Sequence, residues 1–267
     1  GLSPYLPLHP AFTCDKLYKE VSQMERNIER IAIIGAMDEE VVALRDGLTE
    51  REEHPTPFTD LPVFTGKLDG VEVVIARCGI GKVNAALATQ YLIDQFSLKA
   101  IINSGVAGGI SPEVKIGQLV IGHSSLQHDF DVSHFDYPQG TIPRLETSIF
   151  KGDPNPGEFA FEAAENKVGA ENIHRGLIVS GDQFVSSVEQ KQSILAAFPT
   201  ATCVEMEGAA IAHVAWLNQI PHVIVRAISD QADNTAPDDF DAYLLEVIPT
   251  LNGVIKALVR SAHQNAN

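Results

Sequence analysis

Cysteine is scarce in this chain, and its three residues are far apart. Cys14, Cys78 and Cys203 lack the paired spacing of a zinc site, so the sequence predicts no metal centre. An odd number of cysteines does not suit a disulfide framework and favours reduced, buried thiols. We therefore expect a cytoplasmic protein.

Basic charge is also in deficit. Lys and Arg total 19 against 35 Asp and Glu, which gives a formal net charge of -16. Such a surface repels phosphate backbones and anionic membranes. No uninterrupted apolar run approaches the roughly 20 residues that cross a bilayer. The prediction is a soluble protein whose partner is a small molecule, with neither nucleic acid nor membrane involved.

The N-terminal segment 1–30 lacks the basic start, apolar centre and small-residue cleavage site of a signal peptide. Residues 15–30 are polar and charged and predict one amphipathic helix. Because the chain begins at Gly1 without Met, export to the periplasm after removal of a leader is the alternative location. We interpret residues 1–30 as an extension and 31–267 as one domain, since 267 residues with 45% hydrophobic content suffice for a full core.

Short β-branched runs alternate with segments of helical periodicity. The predicted strands are 31–34, 71–76, 100–103, 119–122, 176–179, 202–205 and 223–227. The predicted helices are 39–48, 82–96, 158–168, 190–198, 208–219 and 240–263, with Pro249 expected to kink or interrupt the last. Alternation of this kind predicts an α/β fold. Segment 124–151 has poor periodicity and predicts a long, irregular loop for binding or assembly.

Three of the apolar runs lead into acidic residues. These acids are Asp38, Glu39 and Glu40 after the first run, Glu205 and Glu207 after the second, and Asp230 after the third. In an open α/β sheet, ligands bind beyond the carboxyl ends of the strands. The repeated carboxylates therefore predict one shared pocket for acid/base chemistry on a small molecule.

Each acid has a chemical and a structural interpretation. A partly desolvated Asp230 could donate a proton near neutral pH, whereas the structural alternative is an ion pair with Arg226 or an N-cap. Glu207 could accept hydrogen bonds from a ribose diol beside Met206, or be solvated. Glu40 could activate water, although acids in a first helical turn are favoured by the helix dipole alone.

Two glycine-rich segments follow apolar runs and are candidate pocket walls, because glycine lets the backbone approach a ligand closely. Segment 79–82 lacks the glycine spacing of a P-loop and the Ser or Thr after its lysine, so a tight turn with a solvated Lys82 is predicted. Segment 105–109 lacks the acid of the dinucleotide fingerprint. Neither a nucleoside triphosphate nor NAD is expected, and the sequence predicts no cofactor.

Four blocks of sequence, 33–40, 176–184, 204–207 and 226–230, together form a specific pattern. From about residue 31 onward the chain resembles the bacterial 5'-methylthioadenosine/S-adenosylhomocysteine nucleosidases, which have the nucleoside phosphorylase fold. The resemblance implies a three-layer α/β domain with a mixed, partly barrel-like sheet flanked by helices. It also implies hydrolysis of the N-glycosidic bond of 5'-methylthioadenosine, S-adenosylhomocysteine and 5'-deoxyadenosine, with release of adenine.

The resemblance assigns roles to the acids. Asp230, oriented by Ser229, would protonate adenine N7. Glu40 would activate the attacking water, with Arg226 near it. Glu207 would hold the ribose hydroxyls, a division of labour similar to that of inverting glycosidases.

Further positions match the family's substrate-binding residues. Phe184 would stack on adenine, and the backbone of Val185 would read its Watson–Crick edge. Val132 and Phe240 of the same subunit would flank the ribose and the adenine. The full set of matched binding positions is Met37, Ile80, Val106, Ala107, Gly108, Val132, Phe135, Tyr137, Pro143, Phe184, Val185, Glu205, Met206 and Phe240. Val106 departs from the serine of many members and cannot hydrogen-bond water through its side chain, so we expect hydrolysis with altered water positioning.

The loop 124–151 gains a role from the same resemblance. In the family this loop reaches the neighbouring subunit's site, where Phe135, Tyr137 and Pro143 would cover the 5'-alkylthio group together with Ile80. A homodimer is therefore implied. The alternative for these residues is ordinary loop packing.

Two other functions compete with hydrolysis. A nucleoside phosphorylase would need a basic phosphate loop at the first strand, where this chain carries the carboxylate of Glu40. A non-catalytic binding or storage protein would not need both a base and an acid. The ranking among 5'-substituted adenosines, and the exclusion of a futalosine-type substrate, stay open.

Overall fold

The structure is a computed structural model that describes residues 26–264. Its elements in chain order are β1 (Glu29–Gly35), α1 (Asp38–Asp46), β2 (Thr49–His54), β3 (Val63–Leu68), β4 (Val71–Arg77), α2 (Lys82–Gln95), β5 (Ser97–Gly109), β6 (Leu119–Gln127), β7 (Phe150–Lys151), α3 (Pro154–Val168), β8 (Ile173–Ser180), α4 (Val188–Ala197), β9 (Ala201–Glu205), α5 (Gly208–Leu217), β10 (His222–Asp230) and α6 (Ala236–Gln264). The predicted helix 15–30 lies mostly outside the described residues. Its last two positions belong to β1, so the prediction is wrong there.

The described strands form one mixed sheet that is partly rolled into a barrel. Their order is β10-β6-β8-β9-β5-β1-β4-β3-β2, and β10 also pairs with β5. Strands β5, β10, β6, β8 and β9 therefore close into a ring, while β1, β4, β3 and β2 extend from it. The α/β fold with a partly barrel-like sheet is confirmed.

Strand β1 explains why helices cover both faces of the sheet. Its four central residues, 31–34, are fully buried and alternate in direction. Ile31 and Ile33 pack in a core cluster with α1, α3 and α6, whereas Ala32 and Ile34 pack with α2 and α5. A continuous apolar run is typical of a strand buried on both faces.

Strands β2, β3 and β7 have no counterpart among the predicted strands. β2 lies at the open edge of the sheet, is almost entirely exposed, and carries Glu50, Arg51, Glu52 and Glu53. β3 contains Gly66 and Lys67, and β7 has only two residues. None of the three has the long apolar run that marks a buried strand.

The predicted irregular segment 124–151 is partly regular. Residues 124–127 continue β6, and Ser133–Phe135 forms a single 3-10 turn. The segment ends in β7, which pairs with β6. The prediction of a wholly irregular loop is therefore wrong at both ends.

Helix α6 continues through Pro249 as one helix of 29 residues. Of the two predicted effects of Pro249, the interruption is therefore wrong, and the kink stays a prediction. By length and composition, it is the one helix within residues 26–264 that could span a membrane, with a mean hydropathy of 1.4 over its most apolar window. However, 44% of that window is buried. Val247, Leu251, Val254 and Leu258 pack into the core, as in the core helix of a globular domain.

Candidate active site

A cavity of about 590 Å³ lies beyond the carboxyl ends of β1, β5, β9 and β10. Its walls are Ala36, Met37, Glu40, Ile80, Val106, Ala107, Gly108, Gln183, Phe184, Val185, Val204, Glu205, Met206, Glu207, Ser229, Asp230 and Phe240. The structure thus brings Glu40, Glu205, Glu207 and Asp230 into one cavity, whereas Asp38 and Glu39 are exposed and do not line it.

Glu40 enters the cavity from the first turn of α1. Its Oε2 accepts backbone N–H groups of Ala36 at 2.7 Å and Met37 at 3.0 Å, and its Oε1 accepts the N–H of Val106 at 3.0 Å. Burial raises the pKa of Glu40, while Arg226 and these N–H donors oppose the shift. Three donors leave part of the carboxylate's acceptor capacity open to a water molecule.

Asp230 is the last residue of β10 and lies beside Gly108 in the glycine-rich segment 105–109. The Ser229 hydroxyl donates to its Oδ2 at 2.9 Å, and the Ala232 N–H donates to its Oδ1 at 2.9 Å. Burial raises the pKa of Asp230 despite both hydrogen bonds. The predicted alternative of an ion pair with Arg226 is wrong, because that guanidinium pairs with glutamates instead.

Glu207 immediately precedes α5 and is held by the segment 79–82. The Gly81 N–H donates to its Oε1 at 2.9 Å, and its Oε2 lies 3.8 Å from Arg226 Nη2. Burial raises its pKa, and the neighbouring carboxylate of Glu205 adds to the shift. Its second oxygen retains acceptor capacity for a ligand hydroxyl.

Glu205 also borders the cavity, but the protein itself occupies its carboxylate. The Ser180 hydroxyl donates to Oε1, and Arg226 donates to Oε2. Oε2 also accepts backbone N–H groups of Glu207 at 3.3 Å and Gly208 at 2.7 Å. Glu205 therefore fixes the start of α5 and, through it, the position of Glu207. The predicted alternative that one of these two glutamates is solvated is wrong, because both are buried.

Arg226 is fully buried and does not line the cavity. Its Nη2 donates to Asn103 Oδ1 at 2.6 Å and its Nη1 to the Val106 carbonyl at 3.2 Å. The guanidinium therefore ties β5 to the glutamates from behind the cavity wall. No Lys or Arg is among the lining residues of the cavity in the described chain.

The segment 79–82 forms the turn that the sequence predicts, but Lys82 is not solvated. Its ammonium donates to Asp129 Oδ1 at 2.6 Å and to Gln127 Oε1 at 3.1 Å, and its backbone N–H donates to Asp182 Oδ1 at 2.8 Å. The prediction of a free lysine is wrong. These bonds hold the turn that carries Ile80 and the Gly81 donor.

Aromatic rings border the mouth of the cavity. Phe184 and Phe240 meet edge to face, with ring centroids 5.7 Å apart. Phe184 is 44% exposed, so its ring is available to a planar ligand. Gln183 lines the cavity without having been predicted to do so, and its adjacency to Phe184 is the signal in the sequence that indicates it. The Gly81 N–H donor has no such signal, because side-chain identity does not reveal a backbone contact.

The predicted substrate-binding residues that do not line the cavity are Val132, Phe135, Tyr137 and Pro143. Phe135 is 71% exposed and Tyr137 is 41% exposed. Within residues 26–264, no cluster of three or more His, Cys, Asp or Glu side chains has a geometry that could hold a metal ion.

Comparisons with other proteins give a consistent result. The family model described as "Phosphorylase superfamily" matches residues 30–262. The chain is 39% identical over 229 residues to a 5'-methylthioadenosine/S-adenosylhomocysteine nucleosidase of Staphylococcus aureus (strain JH9), covering 86% of this chain and 98% of that protein.

Two solved structures show the same similarity. The Neisseria meningitidis 5'-methylthioadenosine/S-adenosylhomocysteine nucleosidase in complex with methylthio-immucillin-A has a TM-score of 0.83 and 39% identity, covering 87% of this chain and 99% of that one. The futalosine hydrolase of Helicobacter pylori strain 26695 has a TM-score of 0.80 and 34% identity, covering 89% and 99%.

Proposed function

The chain belongs to the phosphorylase superfamily, and on that basis we propose that it hydrolyses the N-glycosidic bond of 5'-methylthioadenosine and S-adenosylhomocysteine. The same reaction on 5'-deoxyadenosine is part of the proposal. The products are adenine and the 5'-substituted ribose. The observation that carries the proposal is the meeting of Glu40, Glu207 and Asp230 in one cavity.

The three carboxylates divide the reaction among them. Asp230, whose pKa burial raises, donates its proton to adenine N7 as the electrons of the C1'–N9 bond move onto the base. Ser229 orients it through the hydrogen bond at 2.9 Å. Glu207 accepts hydrogen bonds from the ribose hydroxyls and faces the positive charge that develops on the sugar.

Glu40 removes a proton from the water that attacks C1'. The N–H groups of Ala36, Met37 and Val106 fix its carboxylate, so little reorganisation is needed when the water reacts. Val106 supplies this backbone donor whatever its side chain. The absence of a serine hydroxyl therefore changes how the water is held but leaves the base in place.

The remaining lining residues bind the substrate. Phe184 stacks on adenine against Phe240, and the Val185 backbone reads the base edge. Met37, Met206, Ala107 and Gly108 contact the ribose and the base. Arg226 and Glu205 act as positioning residues, because protein partners hold the Glu205 carboxylate and both Nη atoms of Arg226.

Hydrolysis is favoured over phosphorolysis by the charge of the cavity. Among the described residues its lining offers four carboxylates and no basic side chain, so a phosphate dianion would be repelled. A binding or storage protein would gain nothing from an acid and a base in one cavity.

A homodimer completes the site. Phe135, Tyr137 and Pro143 do not line the cavity of their own protomer, and Ile80 at its mouth is 53% exposed. An apolar loop from a partner subunit would cover Ile80 and enclose the 5'-alkylthio group. Val132, assigned to the same subunit's ribose site, also lies outside the cavity lining, so we place it with the loop. We propose that the segment 1–30 precedes the catalytic domain, except that its last two residues belong to β1 and are therefore part of the domain. Residues 1–25 lie outside the described part of the chain.

A cytoplasmic location is part of the same proposal. Cys78 and Cys203 are buried free thiols, which suits a reducing compartment.

The decisive experiment measures adenine release from 5'-methylthioadenosine in phosphate-free buffer, with S-adenosylhomocysteine, 5'-deoxyadenosine and futalosine as parallel substrates. We expect free 5-methylthioribose without added phosphate. Asp230→Asn should lower turnover by roughly a hundredfold or more while nucleoside binding persists. Asp46→Asn, an exposed carboxylate on α1, is the matched control. A strict phosphate requirement, with sugar 1-phosphate formed, would show that the enzyme is a phosphorylase.

A further inference from the structure

Lys191 on α4 makes two contacts that the reaction described above does not use. Its ammonium donates to the carbonyl of Gln231 at 2.7 Å and to that of Gly109 at 3.2 Å. Both acceptors are main-chain oxygens. Lys191 therefore joins the ends of two strands, β5 and β10, and does not itself line the cavity.

The two acceptors directly follow residues of the active site. Gly109 comes after Gly108 in the cavity wall, and Gln231 comes after Asp230. In the β5–β10 ladder Ile228 pairs with Ala107 and Asp230 pairs with Gly108, so Ser229 is an extra residue at a register shift. A bulge of this kind redirects side chains and ends regular pairing.

The backbone beyond the bulge needs support that the sheet does not provide. Ala232 has φ +51, a left-handed conformation that is costly for a residue other than glycine, and its N–H donates to Asp230. The hydrogen bond from Lys191 to the Gln231 carbonyl holds the peptide group that joins Gln231 to Ala232. The hydrogen bond to the Gly109 carbonyl ties that peptide group to the neighbouring strand β5.

The tolerance at this point is small. A Cβ on Gly108 would lie 2.7 Å from Asp230 Oδ1 and 3.0 Å from the Ala232 side chain. Movement of either strand end therefore changes where the Asp230 carboxyl points. Two acidic groups, Asp233 and Asp230, face Lys191; burial lowers its pKa, and these carboxylates oppose that shift.

We propose that Lys191 is a positioning residue for Asp230, clamping the two strand ends so that the acid faces the leaving base. The proposal rests on the proposed nucleosidase function. It implies that Lys191 affects protonation of the leaving group and has little effect on the attack of water or on sugar binding.

The test compares two substrates with different leaving groups. Adenine must be protonated to leave, whereas 4-nitrophenolate leaves without an acid. With 5'-methylthioadenosine, Lys191→Met should lower kcat about tenfold to a hundredfold at nearly unchanged KM, since small misplacements of a catalytic group have effects of that size. With 4-nitrophenyl 5-methylthio-β-D-riboside, the same variant should keep its activity.

Two further lysine variants complete the set. Lys191→Arg retains a cationic donor and should restore most of the adenine-releasing rate. Lys115→Met removes an exposed lysine between β5 and β6 and should match the wild type with both substrates. Circular dichroism and thermal unfolding check that each variant is folded.

The possible outcomes are distinct. Equal loss with both substrates would assign Lys191 a general structural role and overturn the proposal, as would full adenine-releasing activity in Lys191→Met. The Asp230→Asn variant shows whether the two substrates distinguish the loss of the acid. If this variant slows the reactions of both substrates equally, Asp230 is not the acid. A wild-type protein that releases no adenine would contradict the proposed function itself.

Discussion

Four carboxylates lie within one cavity, and each has a different role because its hydrogen-bond donors differ. Glu205 has four protein donors and is structurally committed, whereas Glu207, two positions later, keeps an oxygen with no hydrogen-bond donor of its own. Glu40 is held by backbone, and Asp230 by one hydroxyl and one N–H. The sequence predicts that these acids gather. It cannot predict which one is occupied by protein, because the donors to Glu205 come from β8, β10 and α5.

The pH dependence of kcat/KM follows from two of these residues. Glu40 must be ionised to act as a base, so the rate rises as pH increases through its pKa, which burial raises above 4.5. Asp230 must be protonated to act as an acid, so the rate falls as pH increases through its pKa, which burial raises above 3.8. We expect a bell-shaped profile with both limbs displaced upward.

Variants assign the limbs of that profile. In Glu40→Gln, the remaining slow reaction should lack the acidic limb of the profile, where the rate rises with pH. In Asp230→Asn, the remaining slow reaction should lack the alkaline limb, where the rate falls with pH. The midpoints belong to interacting groups, so the disappearance of a limb is the informative result. An unchanged acidic limb in Glu40→Gln would remove Glu40 from the role of base.

At the scale of elements, the strand ends are packed more tightly than the helix surfaces. A Cβ on Gly105 in β5 would lie 2.3 Å from Arg226 Nη1 and 2.6 Å from Glu40 Oε1. Both atoms belong to buried polar groups that cannot move without losing partners. A Cβ on Gly157 in α3 would contact nothing within 4 Å.

Alanine substitutions at these two glycines should have opposite effects. We expect Gly105→Ala to cost about 1–3 kcal/mol of unfolding free energy, as overpacking does, and to reduce activity strongly. Gly157→Ala should stabilise by about 0.5 kcal/mol through restricted unfolded-chain entropy and better helix propensity, with normal turnover. Urea unfolding and adenine release measure both. Equal stability of the two variants would contradict the packing described for β5.

Which elements the sequence can predict depends on their burial. The runs that became β1, β5 and β10 are apolar because both faces are covered, and the sequence marks them clearly. β2 is polar because it is an edge, so its sequence carries no strand signal. The closure of the barrel through β5 and β10 joins residues more than a hundred positions apart, which local periodicity cannot reveal.

At the scale of the whole molecule, the proposed homodimer shares parts between sites. Asp230→Asn damages the site in its own subunit, whereas Phe135→Asp would damage the site of the partner. A mixed dimer of the two variants then has one site with both defects and one site with neither. If equal amounts of the two variants are mixed and subunits exchange at random, roughly a quarter of all sites should have the wild-type composition.

Adenine release before and after mixing measures this recovery. Mixing Asp230→Asn with wild-type protein gives the baseline, because exchange there leaves the number of intact sites unchanged. Differently tagged subunits demonstrate the exchange itself, and sedimentation confirms the dimer. No recovery despite demonstrated exchange would place Phe135 outside the neighbouring site.

The charged strand β2 has a consequence for handling the protein at high concentration. The ring of five strands offers no long free border, and the other end of the sheet exposes a row of glutamates and an arginine. A strand from another chain that paired with this edge would have to place its backbone beside these charged side chains, which disfavours the pairing. Within residues 26–264, the charged side chains of β2 thus oppose the addition of further strands at this edge of the sheet.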